Sequence, residues 1–276
     1  MKLGIGSWTF PWAIGFQGYP PPKKPMDAVA LLHKAKSLGV EVVQICDNID
    51  LSEMSRADLI SIRDKAGEMG LILQTGTRGA EPELLRRYLN ISRILNSRLL
   101  RIITDRGDSK PDAKQVVVGI KSVLPEFAGA GVSIAIENHD RFRTWELIGI
   151  IEEIGSPNVG ICLDTANSFG ALECPGQIVT ALGPYALNVH VKDFTITRIR
   201  NGMGFTILGR PAGQGMLDID MVLRKLAEGG RNPDVVLEQW TPFDSTIEKT
   251  AAMEDEWAVI GIAYLKEKIQ SMKEDA

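Results

Sequence analysis

Cysteine and histidine are scarce in this chain, with three residues of each among 276. Cys46, Cys162 and Cys174 form no CxxC pair and leave an odd count, which excludes a disulfide framework and a thiolate-rich zinc site. The simplest reading is reduced thiols in a cytoplasmic protein, with Cys46 and Cys162 buried inside apolar runs. No run of about 18 apolar residues occurs, so a membrane span is not expected. The opening MKLGIGSWTFPW carries one basic residue and is cut by glycine, serine and proline, so a secretory leader is not expected. Basic blocks are absent as well. The net charge is −4 with both signs interspersed, so a dedicated nucleic-acid surface is not expected. Gly4, Gly6 and Gly15 miss the spacing of a dinucleotide-binding fingerprint. Low-complexity segments and linkers are missing too, so one domain over 1–276 is expected.

What remains is globular. Hydrophobic residues make up 44% of the chain and mean hydropathy is near zero. Eight short apolar runs begin at Leu3, Val40, Leu71, Leu99, Val132, Val159, Leu187 and Asp234. Most are rich in β-branched residues, as parallel strands buried on both faces should be. Between them lie amphipathic segments that close on glycine: Met26–Leu38 before Gly39, Ser55–Met69 before Gly70, Asp112–Ala130 before Gly131, Trp145–Ile154 before Gly155 and Leu217–Glu228 before Gly229. Glu81–Asn96, a short Pro175–Leu182 and a long terminal helix over Ser245–Lys273 complete the set. Eight strand–helix units in a chain of this length predict an α/β fold, a single (β/α)8 TIM barrel. The proline-rich Gly18–Pro25 falls inside the first strand–helix loop, as either a flap or a plain solvated loop. Phe194–Met216 reads as a long loop.

Four runs end on metal-type ligands. Glu137 closes IAIE, Asp164 closes GICLD, His190 lies near the end of LNVHV and Glu238 follows VVL, with spacings of 27, 26 and 48 residues. Successive barrel strands would deliver all four to the C-terminal mouth, where barrel enzymes keep their chemistry. A single ionisable residue at a strand end is unremarkable and can be satisfied by neighbouring backbone. Four together suggest one shared cation. Three carboxylates and an imidazole suit a hard or borderline divalent ion, Mn²⁺ first, with Mg²⁺, Co²⁺ or Zn²⁺ as alternatives. Trp8 near the first strand's end, and Trp240 two residues beyond Glu238, are candidates for the apolar wall of a pocket; core packing is the alternative. Trp257 and Ile260 on the last helix are candidates for packing against the barrel or against a second copy in a homo-oligomer. His33 reads as a surface residue.

The motifs IENHD, CLDTANS, NVHVKD and VLEQW resemble the xylose isomerase-like barrel superfamily, in its sugar phosphate isomerase/epimerase branch. The resemblance spans nearly the whole chain. It implies that Glu137, Asp164, His190 and Glu238 bind Mn²⁺ or a similar ion, as the matching residues do in ketose 3-epimerases, and that Glu137 and Glu238 form the acid/base pair. A metal beside a keto oxygen acidifies the neighbouring C–H; one glutamate removes the proton to give a cis-enediolate and the other returns it. The resemblance also points to substrate contacts at His139, Asn167, Lys192 and Arg210, the last within GRPAGQG. Ketose epimerases often place a histidine where Asn167 stands. The expected activity is therefore isomerisation or epimerisation of a small sugar or polyol derivative. The first alternative is dehydration of a keto-inositol or related keto compound. An endonuclease IV-like DNA repair enzyme is remote, because that branch needs a histidine-rich zinc cluster and a basic groove.

Overall fold

The computed structural model describes residues 1–230 and 232–274. Eight parallel strands close a barrel: β1 (Leu3–Gly6), β2 (Val42–Ile45), β3 (Ile72–Arg78), β4 (Leu99–Ile103), β5 (Ser133–Glu137), β6 (Val159–Asp164) and β7 (Ala186–Val191) come first. A hairpin, β8 (Asp193–Arg198) and β9 (Phe205–Arg210), precedes the closing strand β10 (Asp234–Leu237), which pairs with both β7 and β1. The helices are α1 (Pro11–Ile14), α2 (Ala28–Leu38), α3 (Arg56–Met69), α4 (Pro82–Ile94), α5 (Ala113–Ala130), α6 (Thr144–Ile154), α7 (Pro175–Leu182), α8 (Ile219–Glu228) and α9 (Ile247–Glu274). The expected TIM barrel is thus the fold found.

Local sequence explains the boundaries. Asp27, Ser55, Asp112 and Asp218 each accept a backbone N–H in the first turn of the helix that follows. The aspartate cap at Asp27 delays α2 to Ala28, two residues after the periodic pattern begins. Gly39, Gly70, Gly131 and Gly155 close α2, α3, α5 and α6 in the left-handed conformation. The main apolar core lies between strands and helices, with Ile5, Leu31, Val43, Leu100, Ile120, Ile134 and Leu223 all buried. Among the described residues no helix is long and apolar enough to cross a membrane. Trp257 is buried within this chain and His33 is exposed.

One expectation is corrected. Phe194–Met216 is largely an antiparallel hairpin, in register from Asp193↔Arg210 to Arg198↔Phe205. Thr195, Ile196, Thr197 and Phe205 to Leu208 supply the β-branched and aromatic residues such a ribbon favours. Its return is fastened by Asp193, whose carboxylate accepts backbone N–H groups from Gly213, Gly215 and Leu217 at 2.9–3.0 Å. A Cβ on Gly215 would lie 2.1 Å from Asp193 Oδ1, so only glycine lets this backbone approach.

Candidate metal centre

Register sets the site's geometry. Asp164 pairs with His190 across β6 and β7, and His190 pairs with Val236 across β7 and β10. Glu137 and Asp164 are the last residues of their strands, and Glu238 follows β10 directly. All four side chains are almost completely buried, and they converge at one end of the barrel. His190 Nδ1 lies 3.2 Å from Glu238 Oε1, 3.3 Å from Glu137 Oε2 and 3.7 Å from Asp164 Oδ2.

The free atoms in this group all face one another. Asp164 Oδ2, His190 Nδ1 and Glu238 Oε1 are buried and make no hydrogen bond, although Asp164 Oδ2 has an ion pair with Lys192 Nζ at 2.8 Å. A buried polar atom without a hydrogen bond costs roughly 1–3 kcal/mol, and three such atoms, left to ion-pair contacts at 2.8–3.7 Å with one another and with Lys192, are open to a shared cation. Asp164, His190 and Glu238 present donor atoms within 4.8 Å of one another, and Glu137, Cys162 and His190 make an overlapping trio. Carboxylates with an imidazole fit a divalent cation by donor chemistry as well as by spacing.

The remaining atoms of these residues are held by the fold. Asp164 Oδ1 accepts N–H from Ala166 and Asn167 at 2.8 Å, which turns Oδ2 inward. His190 Nε2 lies 2.7 Å from Gln44 Oε1, so Gln44 fixes the imidazole with Nδ1 aimed at the carboxylates. Cys162 Sγ lies 3.3 Å from the same Nε2, and burial pushes its thiol up to about 11, so it stays protonated. Gln44 in turn donates to Gln74 and Asn188 at 3.1 Å, forming a buried polar network below the histidine.

Two cations face the three acids. Arg101, fully buried on β4, donates Nε–H to Glu137 Oε2 and Nη1–H to Asp47 Oδ1, the latter at 2.9 Å. Lys192 Nζ lies 2.8 Å from Asp164 Oδ2, 3.0 Å from Glu238 Oε2 and 3.1 Å from Asn167 Oδ1. Asn167 Nδ2 donates to Glu137 Oε1 at 2.7 Å. Burial acts to raise Glu137 and Asp164, but Arg101 and His190 beside the first, and Lys192 beside the second, hold both below the usual carboxylate range. Burial acts to lower His190 and Lys192, and their acidic neighbours more than reverse it.

Two lobes open from this centre. An aromatic cavity of about 380 Å³ reaches Lys192 and Glu238 and is walled by Trp8, Trp12, Phe16 and Trp240, with Ile207 and Leu208 of the hairpin. A polar cavity of about 720 Å³ reaches Glu137 and His139. Trp8, Trp240 and Lys192 line the aromatic lobe, His139 lines the polar one, and Asn167 bonds both Glu137 and Lys192. Arg210 does not: it is exposed at the end of β9 and lines neither lobe. The ligand pattern does not point to Arg101 or Gln44. Their signal is a lone arginine in LLRII and a lone glutamine in VVQI, polar residues that an apolar strand carries only if it points them at a partner.

The chain matches the xylose isomerase-like TIM barrel family over residues 3–268. It belongs to that family. A 3-oxo-isoapionate decarboxylase from Pectobacterium atrosepticum is 31% identical over 265 residues, covering 96% of this chain and 95% of the relative. Among solved structures, a D-psicose 3-epimerase from Clostridium cellulolyticum H10 with D-tagatose superposes with a TM-score of 0.73 at 17% identity, covering 97% of this barrel and 99% of the other chain. A xylose isomerase-like barrel from Mycobacterium smegmatis in complex with magnesium gives 0.67 at 12% identity, with 95% and 96% covered. At such identities the structures speak for the shared fold. This xylose isomerase-like barrel is an enzyme of a family acting on sugars.

Proposed function

We propose that this barrel is a divalent-metal-dependent lyase that removes the carboxylate of a small polyhydroxylated 3-oxo acid. The observation that carries the reading is the state of Glu137. Both its oxygens are engaged, Oε2 by the buried Arg101 and Oε1 by Asn167. An epimerase needs two carboxylates that can each exchange a proton on opposite faces of one carbon. Here Glu137 is clamped, and of the two glutamates Glu238 alone keeps an oxygen, Oε1, without a hydrogen bond, 3.2 Å from His190 Nδ1. Decarboxylation asks for less: breaking the C–C bond itself supplies the electron pair, and one proton must then be delivered. The decarboxylase named above, with 31% identity across nearly the whole chain, supports the same choice.

His190, Asp164, Glu238 and Glu137 would hold the ion, which when bound supplies Lewis acidity towards a keto oxygen. As carbon dioxide leaves, the C–C bonding pair moves towards that oxygen. Lys192, fixed between Asp164 and Glu238, is placed to balance the developing negative charge and to give a proton to the carbon left behind. Lys192, which lines the aromatic lobe, regains its proton from solvent between turnovers. The aromatic lobe supplies flat apolar faces for the C–H side of a carbon skeleton and excludes water. An isomerase or epimerase is the second reading, favoured by Glu137 and Glu238 standing on either side of His190 Nδ1 at 3.3 and 3.2 Å.

Product analysis of the Mn²⁺-loaded enzyme decides between them. Incubation with a panel of 3-oxo aldonates and ketoses, read by mass spectrometry, should show loss of carbon dioxide from a 3-oxo acid. Mass-conserving conversion of a ketose without that loss would establish the second reading, and loss of water would establish a dehydratase.

A further inference from the structure

The polar lobe beside Glu137 contains a cation whose side chain has no partner among the described residues. Arg78 ends β3 at the barrel mouth and is half-buried in the cavity it shares with Glu137 and His139. Its side chain makes no hydrogen bond or ion pair with any described residue, while its backbone pairs with β4. The acids of this cavity are already taken. Asp105 receives both Nε–H and Nη2–H of Arg141, whose Nη2 also donates to Pro111 O at 2.8 Å. Asp140 Oδ2 lies 3.1 Å from His139 Nδ1, and Glu137 is held by Arg101 and Asn167. Lys110 adds a second positive charge to the same wall and bears electrostatically on Asp105. A half-buried guanidinium loses part of its hydration and gains nothing in return unless an anion arrives. Arginine's planar fork suits an oxyanion with two oxygens in one plane.

We infer that Arg78 anchors the anionic group of the substrate, the carboxylate in the reading proposed above, and so makes this barrel select acids over neutral sugars. The inference rests on that reading only for the kind of anion. In this arrangement the substrate spans the centre, with its charged end in the Arg78 lobe and its carbon skeleton against Trp8 and Trp240. Gln17 of the first strand–helix loop lines the polar lobe and its neighbour Phe16 lines the aromatic one, so a single loop covers both ends.

The test is calorimetric titration of the Mn²⁺-loaded full-length protein with three four-carbon probes: erythronate, erythritol 4-phosphate and erythritol. Wild-type protein should bind erythronate more tightly than erythritol. Arg78→Gln should weaken erythronate by about tenfold or more and leave erythritol unchanged, and Arg78→Lys should fall between. Thermal unfolding at wild-type temperature shows that the variants are folded. Tighter, Arg78-dependent binding of the phosphate ester keeps Arg78 as the anchor but overturns the carboxylic-acid substrate. Equal erythronate affinity in wild type and Arg78→Gln, or no saturable binding of either anion to wild type, overturns the inference while leaving decarboxylation to the product analysis.

Discussion

Arg101 and Glu137 form a buried ion pair across β4 and β5, with both side chains at most 2% exposed. Desolvating two such charges is costly, so the pair is best understood by what happens when half of it is removed. Arg101→Met leaves Glu137 beside Asp164 and Glu238 with its main counter-charge gone. It should destabilise the protein by about 3–5 kcal/mol. Adding Glu137→Gln to Arg101→Met should recover a large part of that loss, because the uncompensated charge disappears. A urea denaturation series on the four members of this double-mutant cycle measures it.

Gln44 is the hand that holds His190. Its Oε1 lies 2.7 Å from Nε2 and leaves Nδ1 facing the carboxylates. Partners of this kind are typically worth 10- to 100-fold in metal affinity. Gln44→Leu removes the acceptor with little change in volume, and it also frees Gln74 and Asn188, which share the network. The expected result is weaker Mn²⁺ binding by about that factor, measured by titration calorimetry, in a protein that remains folded by circular dichroism.

Lys192 separates binding from chemistry. It neutralises Asp164 and Glu238, both candidate ligands, and therefore competes electrostatically with any cation placed there. Lys192→Met should leave Mn²⁺ affinity equal or higher while lowering turnover by about 10²- to 10⁴-fold, the span of general acid–base contributions. Falls in affinity and turnover together would assign Lys192 a structural role instead. Calorimetry and steady-state rates on one preparation separate the two outcomes.

The contrast between these residues shows what a sequence carries. Glu137, Asp164 and His190 recur at strand ends with the spacing of one strand–helix unit, and Glu238 follows one unit later beyond the hairpin, so the fold and the convergence of these four side chains are legible together. Arg101 and Gln44 belong to no such repeat; their positions matter because the barrel closes and brings β4 to β5 and β2 to face β7. Arg210 carries another kind of signal. Its glycine-flanked motif suggests substrate contact; in the structure those glycines let the loop fold tightly over Asp193, and the arginine at its start is exposed. The hairpin over Phe194–Met216 is hard to see from sequence because its faces are only partly buried, so the alternation that marks a strand is weak.

The aromatic lobe depends on a buried acid far from the centre. Glu254 of α9 accepts the backbone N–H of Trp12 at 2.9 Å and of Ala13 at 3.0 Å, pinning the loop whose Trp12 and Phe16 wall that lobe. Burial pushes its carboxyl from the usual glutamate range near 4.5 up to about 8, outweighing the two N–H bonds that favour the ionised form. The folded state thus binds this proton more tightly than the unfolded chain does. Its stabilising contribution is complete below about pH 4.5 and is lost as pH rises through 8, by at most about 1.4 kcal/mol per pH unit. Glu254→Gln removes the titration and replaces one acceptor by an NH2 group that faces a backbone donor. At pH 5 the variant should therefore unfold at lower temperature than wild type. Between pH 6 and pH 9 the gap should narrow, because wild type alone loses the protonated acid's contribution. Thermal melts of both proteins across that range measure the gap, and a gap that stays constant or widens with pH would show that Glu254 is already ionised in the folded state.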